Sequence, residues 1–291
     1  MYKGRIVKAL SGFYYVECND IVYQCKARGN FRKKDLKPLV GDFCEFSYEK
    51  GSDGYILSID KRKNELIRPP ICNVDQALLV FSAKEPDFST ILLDRFLMVI
   101  ESKNIEPIIC VSKIDLCDRE SIEKELEPYK RAGYKVIYIS SKQKQGLECV
   151  KELLNNKVTV ITGQSGVGKS SLLNALDIYL NIDTNQISKA LGRGKHTTRH
   201  VELIKMYNGY VADTPGFSSL EIEGEPTDVA VAYHDFKELS SMCKFRGCLH
   251  DSEPYCAIKE AVNENKISKD RYEHYLMFLK EAKENKEKRY G

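Results

Sequence analysis

The chain has 291 residues, 42% apolar and 30% charged, so it can bury a core and is not a disordered tail; two domains are expected, with room for three small ones. Its longest apolar runs, such as Ala77–Phe81 and Ile108–Val111, fall far short of the roughly 20 residues of a membrane span, and no membrane protein is expected. The net charge of +3 is uneven: residues 1–68 hold 14 Lys/Arg against 9 Asp/Glu, a net of +5, which leaves −2 on the remaining 223 and points to a polyanionic partner at the N-terminal segment.

The first twenty residues carry no apolar stretch followed by a small-residue cleavage site, so a cytoplasmic location is expected. From Arg5 to Asp60 the pattern is short strands and turns. Arg5–Leu10, Tyr14–Cys18, Ile21–Ala27, Phe43–Tyr48 and Tyr55–Ile59 are rich in aromatic and β-branched residues, and glycines and Asn19-Asp20 break them. Five such strands suit a small closed barrel such as an OB-fold, or any small antiparallel sheet; the pattern alone does not choose. Between Lys26 and Lys37 lie Arg28, Phe31, Arg32, Lys33 and Lys34. Basic side chains neutralise phosphates and an aromatic can stack on an unpaired base, so Arg28, Phe31, Arg32, Lys33 and Lys34 are candidate RNA contacts.

Arg68-Pro69-Pro70 reads as a linker. Beyond it apolar strands (Ala77–Phe81, Pro107–Val111, Val136–Ile139, Val158–Thr162, Gly209–Ala212) alternate with helical stretches (Thr90–Ser102, Ser121–Ala132, Leu147–Leu154, Ser170–Leu176). That alternation predicts a mostly parallel sheet covered on both faces. The strand Pro107–Val111 runs into Ser112, Lys113, Ile114 and Asp115. A carboxylate at Asp115 can accept both N1–H and N2–H₂ of guanine, a donor pair that adenine lacks. Lys113 would pack its stem over the base. Another strand ends in Ser140 and Ser141, whose backbone could meet guanine O6.

The strand Val158–Thr162 leads into Gly163, Gln164, Ser165, Gly166, Val167, Gly168, Lys169 and Ser170, and a helical stretch follows. This is G-x-x-x-x-G-K-S in the strand–loop–helix setting that a phosphate loop needs. Glycines let successive backbone N–H groups face the phosphates. Lys169 would reach the β- and γ-phosphates, and Ser170 would bind Mg²⁺. Further on, Asp213, Thr214, Pro215 and Gly216 follow a strand, so Asp213 can hold Mg²⁺ and Gly216 can offer its N–H to the γ-phosphate. Between the two motifs Thr197 or Thr198 would complete the Mg²⁺ shell. Many GTPases place a water-orienting Gln after D-x-x-G; here that residue is Phe217, and His196 is the candidate for that role. The base-reading residues precede the phosphate loop, an order that makes this a circularly permuted G domain.

Beyond Pro226 the chain turns helical, and Tyr272, Tyr275, Leu276 and Leu279 form an amphipathic stripe over Asp270–Arg289. Cys243, Cys248, His250 and Cys256 supply three thiolates and an imidazole within 14 residues, the ligand set of one structural, tetrahedral Zn²⁺. Cys18, Cys25, Cys44, Cys72, Cys110, Cys117 and Cys149 are scattered and read as reduced small hydrophobes.

Several segments together resemble one family, the small ribosomal subunit biogenesis GTPases called RsgA, YjeQ or YloQ. They are Arg28-Gly29 with Phe31 to Lys34, Arg62 to Leu66 with Arg68 to Pro70, Gly163 to Ser171, Gly192 to Thr198, Asp213 to Phe217, and the cysteine cluster. The resemblance runs over nearly the whole chain. It implies an OB-fold, a permuted GTPase domain and a C-terminal zinc domain, with boundaries set here at 1–68, 69–220 and 221–291. It also implies GTP hydrolysis with Mg²⁺, stimulated by the small ribosomal subunit and its rRNA during late maturation, and Ser171 within the nucleotide site. A monomer is expected. G proteins usually carry Asn where this chain has Ser112, a departure that bears on the strength of guanine binding more than on its specificity. Two other readings are an RNA-binding module that uses GTP only as a conformational latch, and a nucleotide kinase, which would not need Asp115.

Overall fold

The computed structural model describes residues 1–28, 31, 36–67, 69–177, 201–213, 222 and 225–290. Its elements run β1 (Tyr2–Leu10), β2 (Phe13–Cys18), β3 (Ile21–Ala27), β4 (Phe43–Ser47), β5 (Gly54–Ile59), β6 (Glu65–Leu66), β7 (Ile71–Cys72), β8 (Gln76–Ser82), α1 (Thr90–Ser102), β9 (Glu106–Ser112), α2 (Arg119–Arg131), β10 (Lys135–Tyr138), α3 (Leu147–Leu154), β11 (Val158–Thr162), α4 (Lys169–Leu176), β12 (Glu202–Met206), β13 (Gly209–Asp213), α5 (Pro226–Ala230), α6 (His234–Ser240), α7 (Ala257–Asn263) and α8 (Lys269–Tyr290). The chain divides into two compact units, Met1–Ala77 with Glu148–Thr162 and Asp183–Phe217, and Leu78–Leu147 with Gly163–Ile182 and Ser218–Gly291.

In the first unit strands β1, β2, β3, β5 and β4 pair in that order, and β4 closes back on β1. Closure removes every sheet edge, which resolves the choice between an open sheet and a barrel in favour of the barrel. Two tight turns make the hairpins. Ser11-Gly12 joins β1 to β2, Asn19-Asp20 joins β2 to β3, and all four residues have positive φ, as primed turns require. Ile6, Val16, Cys25, Cys44, Phe46 and Ile56 point inward and are fully or almost fully buried. The same unit holds β11, β13 and β12. The last two form a hairpin in which β13 matches the expected strand Gly209–Ala212 and β12 has no counterpart among the expected strands, and Lys8 of β1 pairs with Glu202 of β12. Around that pairing Glu17 of β2 accepts from Tyr210 at 2.9 Å and faces Lys205 at 3.2 Å.

In the second unit β10, β9 and β8 form one sheet, with β10 and β9 parallel. Leu79, Val80, Ile109, Cys110 and Val111 are completely buried, as strands covered on both faces should be. Helix α1 lays Leu93, Phe96, Leu97 and Ile100 into the core, with Phe96 edge-on to Phe81.

Helix α8 buries Arg271, Tyr275, Phe278, Leu279 and Ala282, so the inward stripe is rotated from the expected one: Tyr272 and Leu276 are half-buried. The cause is a charge. Asp94 of α1 has no exposure and needs donors. Arg271 supplies Nε at 3.2 Å and His274 supplies Nδ1 at 2.6 Å. The guanidinium also bonds Asp235 at 2.6 Å and lies over the rings of Tyr129, Tyr134 and Tyr233. Removing Arg271 would strand a buried carboxylate, a loss of about 3–5 kcal/mol. Arg271→Leu is therefore expected to lower the urea-unfolding free energy by that amount. The double variant with Asp94→Asn should recover part of it, which a pair of denaturation curves checks.

Candidate nucleotide site and cysteine cluster

The phosphate loop leaves β11 after Thr162 and enters α4 at Lys169, with Gly168 as N-cap at φ 94°. A side chain at Gly163 would stand 2.0 Å from the Val80 carbonyl, so only glycine lets the loop pass β8. Val167 is fully buried and anchors the loop; Ser165, Gly166 and Ser171 are exposed. Backbone N–H groups in the first turn of α4 have no intrahelical partner and face an incoming anion. Lys169 turns back on the loop: Nζ donates to the carbonyls of Gly163 at 2.7 Å and Gln164 at 2.5 Å. Burial pushes its ammonium down to about 8.

In the base-reading turn Lys113 adopts a left-handed conformation, and Ile114–Leu116 form a 3-10 turn. Asp115 Oδ1 accepts from Ser140 Oγ at 2.6 Å, and Ser140 in turn accepts from the Gln143 N–H at 3.1 Å. The hydroxyl fixes the carboxylate, whose Oδ2 is unengaged among the described residues. Ser141 is half-buried beside it. Ser112, expected with the base-reading residues, is instead buried against the phosphate loop, its hydroxyl on the Val167 carbonyl. Residues 85–86 are an addition. Lys113 Nζ donates to the Glu85 carbonyl, and Pro86 lies 3.8 Å from where a side chain at Gly166 would start. No periodicity or motif marks them. Asp213 closes β13. His196, Thr197, Thr198, Gly216 and Phe217 lie outside the described residues.

The ligand atoms of Cys243, Cys248, His250 and Cys256 lie within 4.8 Å of one another. His250 Nδ1 stands 3.3 Å from Cys256 Sγ and 3.6 Å from Cys243 Sγ. Those separations suit a tetrahedral ion with bonds of about 2.0–2.3 Å and no open position. Burial holds the imidazole neutral, the form a metal binds, and pushes the Cys248 thiol up to about 12. A divalent cation would displace that proton. Helix α8 braces the loop: Tyr275 donates to the Leu249 carbonyl and Tyr272 to the His250 carbonyl, both at 2.6 Å. Glu253 accepts the N–H groups of Leu249 and Asp251.

On the barrel Arg28 is exposed. Phe31 is only 7% exposed, so its ring is not offered to a base. It lines a cavity of about 610 Å³ with Phe13, Tyr14 and Leu36, because its apolar face finds the barrel before solvent. Lys26 is paired with Asp53 at 2.9 Å. Arg32, Lys33 and Lys34 lie outside the described residues.

A phosphate loop, a guanine-matched carboxylate held by a serine, and the reversed order of the two define a circularly permuted GTPase. The RsgA GTPase family model matches residues 59–223 and the RsgA N-terminal domain model residues 3–56. The chain belongs to the RsgA GTPase family. It is 54% identical to a small ribosomal subunit biogenesis GTPase RsgA of Halalkalibacterium halodurans, covering 100% of both chains. It is also 54% identical to the protein of that name from Bacillus anthracis, over 98% of this chain and 99% of the relative. The crystal structure of YloQ, described as a circularly permuted GTPase, superposes with a TM-score of 0.83 at 48% identity, covering 98% of this chain and 96% of that one. YjeQ from Thermotoga maritima gives 0.81 at 37%, covering 97% and 98%.

The Lys169 environment sets a pH dependence. A bound phosphate favours the charged ammonium, so binding takes up a proton once the free chain loses it. Nucleotide affinity should be level below about pH 8 and fall as pH rises beyond it, by up to about tenfold per pH unit. Lys169→Met should weaken binding about 10–100-fold and remove the slope, as titrations of the dissociation constant from acid to alkaline pH would show.

Proposed function

We propose that this GTPase is an assembly factor of the small ribosomal subunit, which docks on its rRNA during late maturation and leaves after subunit-stimulated hydrolysis. The observation that carries this reading is full-length identity to relatives named for small-subunit biogenesis. In this reading Lys169 neutralises the β- and γ-phosphates, Ser170 and Asp213 hold Mg²⁺, and Thr197 or Thr198 completes its shell. Gly163 to Ser171 and Gly216 wrap the phosphates, while Asp115, with Lys113, Ser140 and Ser141 beside it, selects guanine. His196 orients the attacking water in place of the missing Gln. Arg28 with Arg32, Lys33 and Lys34 contacts rRNA phosphates.

The proposed functional division is residues 1–68, 69–220 and 221–291; the two family models span residues 3–56 and 59–223. Cys243, Cys248, His250 and Cys256 hold one structural Zn²⁺, which supplies folding energy and no chemistry. The protein acts as a cytoplasmic monomer; no helix among the described residues is long and apolar enough to cross a membrane.

GTP turnover should be slow alone and rise at least tenfold with small ribosomal subunits, and neither large subunits nor ATP should reproduce this. GTP binding without any stimulation would replace this reading with that of an RNA-binding latch. His196→Ala should bind GTP normally and lose the stimulated rate; full stimulated turnover would remove the role given to His196. Cys248→Ser should lose zinc, measured as metal per chain by atomic emission, and unfold the segment between α6 and α7 first.

A further inference from the structure

Ser112 stands where G proteins usually carry an asparagine, yet its hydroxyl is directed at protein backbone. It ends β9 and is 3% exposed. Its hydroxyl lies 2.5 Å from the Val167 carbonyl and 3.2 Å from the Phe81 carbonyl. A hydroxyl has one proton and can donate to only one of them at a time. The shorter contact assigns it to Val167, in the middle of the phosphate loop. The residue's own carbonyl accepts from Ala83 at 2.9 Å. A side chain at Gly168, the N-cap of α4, would start 4.0 Å from the same hydroxyl, so the contact lies where the loop turns into the helix. The proton an asparagine amide would offer to a base is here spent on protein backbone.

Guanine presents N1–H and N2–H₂ on one edge and the acceptors O6 and N7 on the other. Asp115 is an acceptor and matches the first edge only. We propose that Ser112 is a positioning residue that holds the phosphate loop in register with the base-reading turn and leaves guanine N7 unread, so that this GTPase also accepts guanine nucleotides altered at N7. The inference rests on the GTP reading of the same site, and the binding of GDP by the parent chain is the control that separates the two.

The test is a set of dissociation constants and release rates for GDP, 7-deaza-GDP and IDP, which lacks the N2 amino group. They would be measured on the full chain and on Ser112→Ala and Ser112→Thr. The parent chain should bind GDP and 7-deaza-GDP within about twofold and IDP more weakly. Ser112→Ala should weaken GDP and 7-deaza-GDP equally, by about tenfold and through faster release, the effect of one buried hydrogen bond. Its GDP-to-IDP ratio should stay at the parent value, and Ser112→Thr, which keeps the hydroxyl, should restore affinity. Thermal midpoints close to the parent's would separate loss of the tether from loss of the fold. A tenfold penalty for 7-deaza-GDP in the parent chain would overturn the proposal. So would unchanged GDP affinity in Ser112→Ala, or a collapse of its GDP-to-IDP ratio. A parent chain that binds no GDP would remove the GTP reading itself.

Discussion

A carboxylate with no access to water must find its counter-charges inside the protein, and Asp94 sets the second unit by that demand. It lies on α1, and the groups that answer it, Arg271 and His274, lie on α8, about 180 residues later. One turn of each helix is thereby fixed against the other. Arg95 and Glu281 repeat the link at 2.9 Å, closer to solvent. Tyr233 donates to the Asp94 carbonyl, so α6 is drawn into the same cluster. Replacing such a network with apolar groups of equal volume could hold the helices as tightly. Its specific consequence is register. With Arg271 in place, Tyr272 and Tyr275 reach the carbonyls of His250 and Leu249, and the loop that bears the histidine of the cysteine cluster is set by the helix that answers Asp94. The N-terminal end of α1 follows the Glu85-Pro86 segment, which borders Lys113 and Gly166.

The nucleotide site is organised unevenly. Its base half stands ready, because Ser140 already orients Asp115 and Ser140 is itself held by Gln143. Its phosphate half is satisfied from within. Lys169 bonds two carbonyls of its own loop, and an incoming phosphate must exchange those bonds for its own. Burial has already weakened the ammonium's hold on its proton, and a charge pair formed away from water is stronger than one formed in it.

Much of this was legible in the sequence. The barrel strands and the alternation after Pro70 show in their periodicity, and Thr90–Ser102 and Leu147–Leu154 match the helices found there. Short-range motifs with fixed geometry, the phosphate loop and the cysteine–histidine cluster, carry their meaning in spacing alone. What escaped depended on distant partners. Strand β12 makes an antiparallel hairpin and breaks the strand–helix rhythm that revealed its neighbours. Arg271 reads as a solvated charge until Asp94 is known to lie beside it. Phe31 sits among basic residues and reads as exposed, while the barrel wall takes its ring. Ser112 follows the motif's position, but its hydroxyl direction depends on a loop 55 residues away.

Permutation of the motif order has a consequence for connectivity. In this chain the residues after Thr197 and Thr198 lead at once into β12, and β12 is tied to the barrel by its pairing with β1 and by the Lys205 and Tyr210 contacts to Glu17. Those after Asp213 lead to α5, which begins at Pro226, and from there to the metal-ligand loop. The segment before β12 thus continues into strands paired with the barrel, and the segment after Asp213 continues into the helices around the cysteine cluster.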